Sequence, residues 1–334
     1  MNGARALLFA LAAQVVLAAP LMAQAGAADS VRAPASSQVQ RPDGSITEDA
    51  PLVAGGDVDI ITPHITDSDK IDLPCWNHAT LVCEHDLPKW KPIVIGGFAI
   101  DMSPTKHVVM LFVAAFLCLL VLVPAARAHT RHSHAIGRPK GFAAGIEAMV
   151  LYIRQEVAIP NLGHHGERYA PFVLTLFFFI LFANMLGLIP YGSTPTGNIS
   201  VTLMLALVTF VVVEVAGMRA LGRKYISTVV YWNTELPLYM RIPLAIIMTP
   251  IEIIGKFTKP FALTIRLFAN MTAGHIVVLA LIGLIFFFHN VISGAPFIMA
   301  VLIMMLELFV ALLQAFIFAL LSAVFIGQIR EAAH

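Results

Sequence analysis

From residue 107 onward the chain alternates between long apolar runs and short polar or basic connections. Five runs stand out: 107–126 (HVVMLFVAAFLCLLVLVPAA), 171–190 (PFVLTLFFFILFANMLGLIP), 199–218 (ISVTLMLALVTFVVVEVAGM), 244–288 and 296–329. The first three match the ~20 residues that a helix needs to cross a bilayer. The fourth has 45 residues, roughly 68 Å of helix at about 1.5 Å per residue, against ~30 Å of hydrocarbon. The fifth, with 34 residues, shares this excess. Two over-long neighbours predict a steeply tilted antiparallel hairpin, and Pro260 permits a kink in its first arm.

A different period runs between the first two spans. Ile146, Met149, Val150, Ile153 and Val157 recur at steps of three and four, with Glu147 and Arg154 on the other face. That pattern predicts an amphipathic helix lying at the membrane interface, or packed against the spans themselves. Upstream, residues 1–25 have the form of a secretory signal: Arg5, then LLFALAAQVVLAA, then Ala23-Gln24-Ala25 as a small-x-small cleavage site. Residues 26–105 are rich in Pro, Gly, Ser and Asp, and the stretch to about residue 55 has the composition of a disordered linker. Within them DVDII and KPIVIGGFAI alternate as short strands or an extended cap would. Cys75 and Cys83 suit a disulfide in an oxidising compartment. With His78 and His85 they offer zinc donors instead, at a non-standard spacing, and the disulfide is preferred.

Composition agrees with the pattern. The 334 residues are 58% hydrophobic and only 12% charged, with a mean hydropathy of +0.82, as multiple membrane spans require. The net charge of +1 gives no basis for a nucleic-acid partner. Its distribution is more telling. Arg127, Arg131, Arg138 and Lys140 follow the first span, and Arg219, Arg223, Lys224 and Arg241 follow the third, whereas YGSTPTGN and HNVISGAP have no Lys or Arg. By the positive-inside rule the N-terminus lies outside and the C-terminus in the cytoplasm, in agreement with the signal. The chain thus reads as an all-α membrane protein: a signal peptide (1–25), an irregular extracytoplasmic extension (26–105), and a domain of five transmembrane spans plus an interfacial helix (106–334).

Ionisable residues inside the last two runs carry the candidate chemistry. A hairpin turning near residue 291 puts Arg266 level with Gln314, His275 with Glu307, and Glu252 with Arg330. Each strongly polar residue of one arm meets a polar residue on the other. An intramembrane charge costs at least ~2.5 kcal/mol on insertion scales and is functional by default. No acid on the hairpin lies near Arg266: Glu252 is ~21 Å away along the helix and Glu307 about two turns off. Its carboxylate is therefore expected from a partner, the alternative being that Gln314 and Asn270 satisfy its donors. Arginine stays charged where lysine could lose its proton. A fixed positive charge forces a passing acid to ionise and blocks a proton from crossing directly. His and Glu, which can exchange protons near neutral pH, flank it on both sides. The layout is two proton paths that stop on either side of an arginine.

These residues carry a family resemblance. KPFALTIRLFANMTAGH and ELFVALLQAFIFALL resemble subunit a of the F-type ATP synthase, as do TLFFFILFANMLGLIP and TPTGNISVTLMLAL, over about residues 105–330. The resemblance implies that Arg266 is the stator arginine facing the carboxylates of the rotating c-ring, with Asn270 and Gln314 beside it. It implies that Glu252 belongs to the cytoplasmic half-channel and that His275, Glu307 and Asn184 belong to the outer one. Many bacterial members have an acid at the position of His275 and a His at that of Glu307, so the pair is exchanged here. It further implies a multi-pass protein of the bacterial inner membrane that couples proton flow to ring rotation. Its partners would be the c-ring, the peripheral-stalk subunit b, the rest of the complex and lipid. No cofactor or metal is expected, and ATP would form on another subunit, since no G-x-x-x-x-G-K-[ST] loop is present.

Two other classes fit parts of the sequence. His129, His132, His134, His164 and His165 suggest a membrane di-iron enzyme, but such enzymes need more histidines, and these five sit among basic interfacial residues. An autonomous secondary transporter predicts internal repeats and broken half-helices, and no repeat is found.

Overall fold

The computed structural model describes residues 67–68, 70–77, 80–90, 93–95, 98–100, 103–132, 141–163, 166–189, 193–230, 237–288 and 294–331. The signal segment and DVDII lie outside them. Rather than being irregular throughout, the extension holds two antiparallel hairpins. Strand β1 (Lys70–Asn77) pairs with β2 (Thr80–Asp86), and β3 (Ile93–Ile95) with β4 (Phe98–Ile100). The β1–β2 register shifts between Pro74 and Asn77, where a proline has no N–H to give to a ladder. In the second hairpin Ile93 pairs with Ile100 and Ile95 with Phe98. The side chains of Cys75, Cys83 and His78 lie outside the described residues, and with them the disulfide and zinc readings.

Among the described residues, five helices are long and apolar enough to cross a membrane. They are α1 (Lys106–His132), α4 (Ala170–Leu186), α5 (Ile199–Leu221), α6 (Leu238–Phe287) and α7 (Gly294–Glu331). Each expected span is present, and α6 begins six residues before the apolar run does. At 50 and 38 residues, α6 and α7 reach ~75 and ~57 Å. Helix α6 stays helical through Pro243, Pro250 and Pro260. Near the last of these, the hydroxyls of Thr258 and Thr264 donate to the carbonyls of Ile254 and Pro260, a bond that tends to bend helices.

Helix α4 is the core. Phe177, Phe178, Phe179, Ile180 and Leu176 are all buried, as a helix apolar on every side must be. It packs between α1 and α7, while α5 packs on α6 and α7. Ala311, Ala315, Ala319, Ala323 and Gly327 recur every four residues along α7 and are buried. This seam of small side chains lets neighbouring backbones approach closely, the main source of helix association where lipid is as apolar as the side chains.

The period-3.6 segment forms α2 (Phe142–Tyr152), a π-helical turn at Ile153–Ala158, and α3 (Ile159–Leu162). Within the π turn the N–H of Ile159 reaches back five residues to Arg154, one residue before Pro160, which has no N–H to offer. Ile146, Ile153 and Val157 are buried with the core, Met149 and Val150 pack against it, and Arg154 is exposed. These side chains pack against the spans, as the second expectation has it. The fit depends on Gly327: a Cβ there would collide with the carbonyl of Asn161.

Replacing Gly327 with Ala is expected to destabilise the protein by about 1–3 kcal/mol, the usual range for overpacking. Gly145→Ala, in α2 with open space around it, should be neutral or stabilising by up to ~1 kcal/mol. Thermal unfolding midpoints in detergent should fall for Gly327→Ala and hold or rise for Gly145→Ala.

Candidate functional site

Arg266 sits on an exposed stripe of α6 with Ala262, Ile265, Ala269 and Asn270. Among the described residues it makes no hydrogen bond, ion pair or ring contact. The alternative in which Gln314 satisfies it does not hold. Gln314 is 1% exposed and accepts instead from Asn270 Nδ2 at 3.1 Å, one turn along. Asn270 thereby ties the two arms together directly beside the arginine.

His275 lies nine residues beyond Arg266, so it projects about 180° away on the helix wheel. It is buried, as is Glu307 on the opposing arm. The register is tight here: a Cβ on Gly274 would sit 2.9 Å from Glu307 Oε1. The glycine beside His275 therefore lets the acid lie against the backbone of α6, and the levels expected for His275 and Glu307 coincide. One turn along α7 from Glu307, the carbonyl of Ala311 accepts from Asn184 Nδ2 at 3.3 Å. Asn184 is fully buried, and its Oδ1 accepts from Thr196 at 2.8 Å. Thr196 lies 2.7 Å from the hydroxyl of Thr194, which also contacts the carbonyl of Ala183 at 3.2 Å. Two hydroxyl protons are thus shared among three oxygen–oxygen contacts, so the pair has more than one hydrogen-bond arrangement. Thr272 reaches the carbonyl of Gly197 at 3.5 Å, which brings α6 to the same cluster.

The third group lies toward the C-terminal end of the bundle. Glu252 is exposed and lines a cavity of about 230 Å³ between α5, α6 and α7, with Glu214, Lys256, Lys259, Thr209 and Gln328. Lys256 Nζ donates to Glu214 Oε2 at 3.2 Å, to Tyr225 and to Thr228, and lies 4.7 Å from the centre of the Tyr225 ring. Arg330, expected level with Glu252, has other partners. Arg330 Nη1 donates to the carbonyl of Leu162 at 2.7 Å, and its guanidinium lies 5.7 Å from the Tyr169 ring centre. The polar bridge between the arms at this end is Lys259 Nζ to Gln328 at 3.2 Å. Fourteen residues separate Glu252 from Arg266, which places both within about 40° on the helix wheel. The Glu252 cavity therefore opens near the stripe bearing Arg266, whereas the His275 and Glu307 cluster lies behind it.

Thr194, Thr196, Glu214 and Lys256 were not singled out from sequence. The threonines lie in YGSTPTGN, noted only for its lack of charge. Glu214 was visible as an acid inside an apolar run, and the lysines sit beside the arginine motif. Of the iron-ligand alternative, His134, His164, His165 and the side chains of His129 and His132 lie outside the described residues. Among the described residues no three His, Cys, Asp or Glu side chains converge as metal ligands. Helices α6 and α7 are continuous, unlike the broken half-helices a secondary transporter would use.

Residues 107–327 match the family described as ATP synthase A chain. The chain is 46% identical over 273 residues to ATP synthase subunit a 2 of Chlorobaculum tepidum, covering 80% of this chain and 72% of that one. It is 48% identical over 243 residues to ATP synthase subunit a of Chloroherpeton thalassium (72% and 69%). With ATP synthase subunit a of Anaeromyxobacter dehalogenans it shares 42% over 277 residues (80% and 69%). With two thirds of its length matched and five helices of spanning length, the chain belongs to the ATP synthase subunit a family.

Proposed function

We propose that this chain is the proton-translocating stator subunit of an F-type ATP synthase, a multi-pass protein of the bacterial inner membrane. It offers two offset half-channels to the carboxylates of a c-ring. The observation that carries this reading is Arg266: a permanent cation at mid-helix, exposed, with no partner among the described residues. A guanidinium so placed calls for an anionic group on another chain. The basic residues of the C-terminal end, among them Arg219, Arg223, Lys224 and Arg241, support a cytoplasmic position for it. The end bearing residues 67–105 is then extracytoplasmic.

A proton enters from outside through the cluster of Asn184, Thr196, His275 and Glu307 and protonates a ring carboxylate. The neutral carboxyl tolerates lipid, so the ring can turn. After nearly a full revolution it meets the cavity lined by Glu252 and releases its proton to the cytoplasm. Arg266 stands between the two exchanges, keeping the carboxylate ionised as it passes and closing the direct route. Asn270, bound to Gln314, fixes the local register of the hairpin. The driving force is ~2.3 kcal/mol per charge per 100 mV. Subunit b and the rest of the complex hold this stator still, and ATP forms on other subunits.

Arg266→Ala should assemble into the complex, abolish ATP synthesis driven by an imposed gradient, and raise passive proton leak in the same vesicles. Wild-type coupling would return Arg266 to a packing role. Thr196→Val, which leaves Asn184 Oδ1 without its donor, should lower the synthesis rate about tenfold, the factor that ~1.4 kcal/mol gives. Rates measured in vesicles with matched complex content provide the check.

A further inference from the structure

A second buried polar assembly lies where α1 begins. Thr105, Lys106 and His107 are consecutive and buried, the last two at 1% and 2% exposure. The chain of the extension is laid against them. The N–H of Lys106 donates to the carbonyl of Ser68 at 3.0 Å, and that of His107 to Asp67 Oδ1 at 3.4 Å. The other oxygen of Asp67 accepts from Asn198 Nδ2 at 3.4 Å. Asn198 in turn caps α5, accepting from the N–H of Ser200 at 2.9 Å. One half-buried carboxylate therefore clasps the first turns of two helices.

Capping accounts for Asp67. It does not account for His107, because an apolar side chain could fill that position without the cost of burying a polar ring. The ring has a specific contact: Nδ1 lies 3.3 Å from the hydroxyl of Ser193. Ser193 is buried and is followed directly by Thr194. From there the line continues through Thr196 to Asn184 and the turn of α7 that holds Glu307. The direct side-chain steps are His107 to Ser193, Thr194 to Thr196 and Thr196 to Asn184; Asp67 joins them at the backbone N–H of His107, and Ser193 and Thr194 are neighbours along the chain. His107 is the titratable group between the partly exposed Asp67 and the hydroxyls, and imidazole can take a proton on one nitrogen while giving one up from the other. Lys106 and Asp67, the charged groups adjoining it in the clasp, have opposite signs.

We propose that His107, held by Ser193 and the Asp67 clasp, is the relay through which protons enter the path to Asn184 and Glu307. This rests on the outer half-channel reading given above. In that role the proton passes from water at Asp67 to the imidazole. The ring releases a proton toward Ser193, and no covalent bond other than those to hydrogen changes. The extension is then part of the translocation path as well as a covering for the bundle.

The test uses the whole complex in vesicles with ATP synthesis driven by an imposed gradient. His107→Ala should synthesise ATP at no more than about a tenth of the wild-type rate. Added imidazole should restore at least part of that loss, while leaving wild type and Glu307→Gln unchanged. His107→Gln can keep the bond to Ser193 but cannot relay a proton, so it should assemble and remain slow. A wild-type rate in assembled His107→Gln, or a deficit in His107→Ala that imidazole does not lift, overturns the proposal and leaves His107 as a structural residue. Glu307→Gln separates the two readings. If it retains full coupling, the outer path itself is wrong; if it is inactive while the His107 variants run at the wild-type rate, only the entry is wrong.

Discussion

A guanidinium midway along an apolar helix of spanning length is the constraint from which the rest of this architecture follows. It cannot shed its proton, and its charge cannot be left uncompensated without a cost of several kcal/mol. Arg266 meets no acid within its own chain's described residues, and the helix that bears it presents it outward beside small side chains, Ala262 and Ala269. Such a surface is suited to close approach by another helix carrying a carboxylate. The hairpin must then hold the arginine in place without neutralising it. Asn270 and Gln314 do this with a neutral hydrogen bond one turn away.

The same constraint organises the two polar groups around it. Helical periodicity puts Glu252 on nearly the same side of α6 as Arg266 and His275 on the opposite side. One group therefore opens on the exposed stripe, and the other lies in the bundle between α4, α6 and α7. The alanine seam of α7 makes this possible, because it lets the carbonyl of Ala311 come within reach of a side chain on α4. Gly274 plays the same part on α6, where a larger residue would push Glu307 away. Small residues thus set the positions of the large polar ones.

Much of this was legible from the sequence. Apolar length alone located five helices, and antiparallel geometry gave the level at which Glu307 meets α6. The identity of hydrogen-bond partners was less accessible. Gln314 pairs with Asn270 rather than with Arg266, and Arg330 bonds to Leu162 rather than to Glu252, because partner choice depends on rotation about each helix axis and on third elements such as α3. The Thr194 and Thr196 hydroxyls looked like ordinary loop residues, since nothing local marks a loop that folds back into the bundle. The hairpins of the extension were less visible: the alternation of KPIVIGGFAI gave short strands or an extended cap but not their pairing, and β1–β2, with its register shift after Pro74, was not marked.

What lies against Arg266 in the assembled complex decides its role. The most direct measurement is a photo-cross-linker placed at Ala269, on the exposed stripe, in the assembled complex, with a second one at Phe116, exposed on α1, for comparison. Cross-linking from Ala269 to the ring subunit, near its membrane-embedded carboxylate, and none from Phe116, is the predicted result. Products formed from Ala269 only with lipid, or ring products from Phe116 instead, would contradict the account.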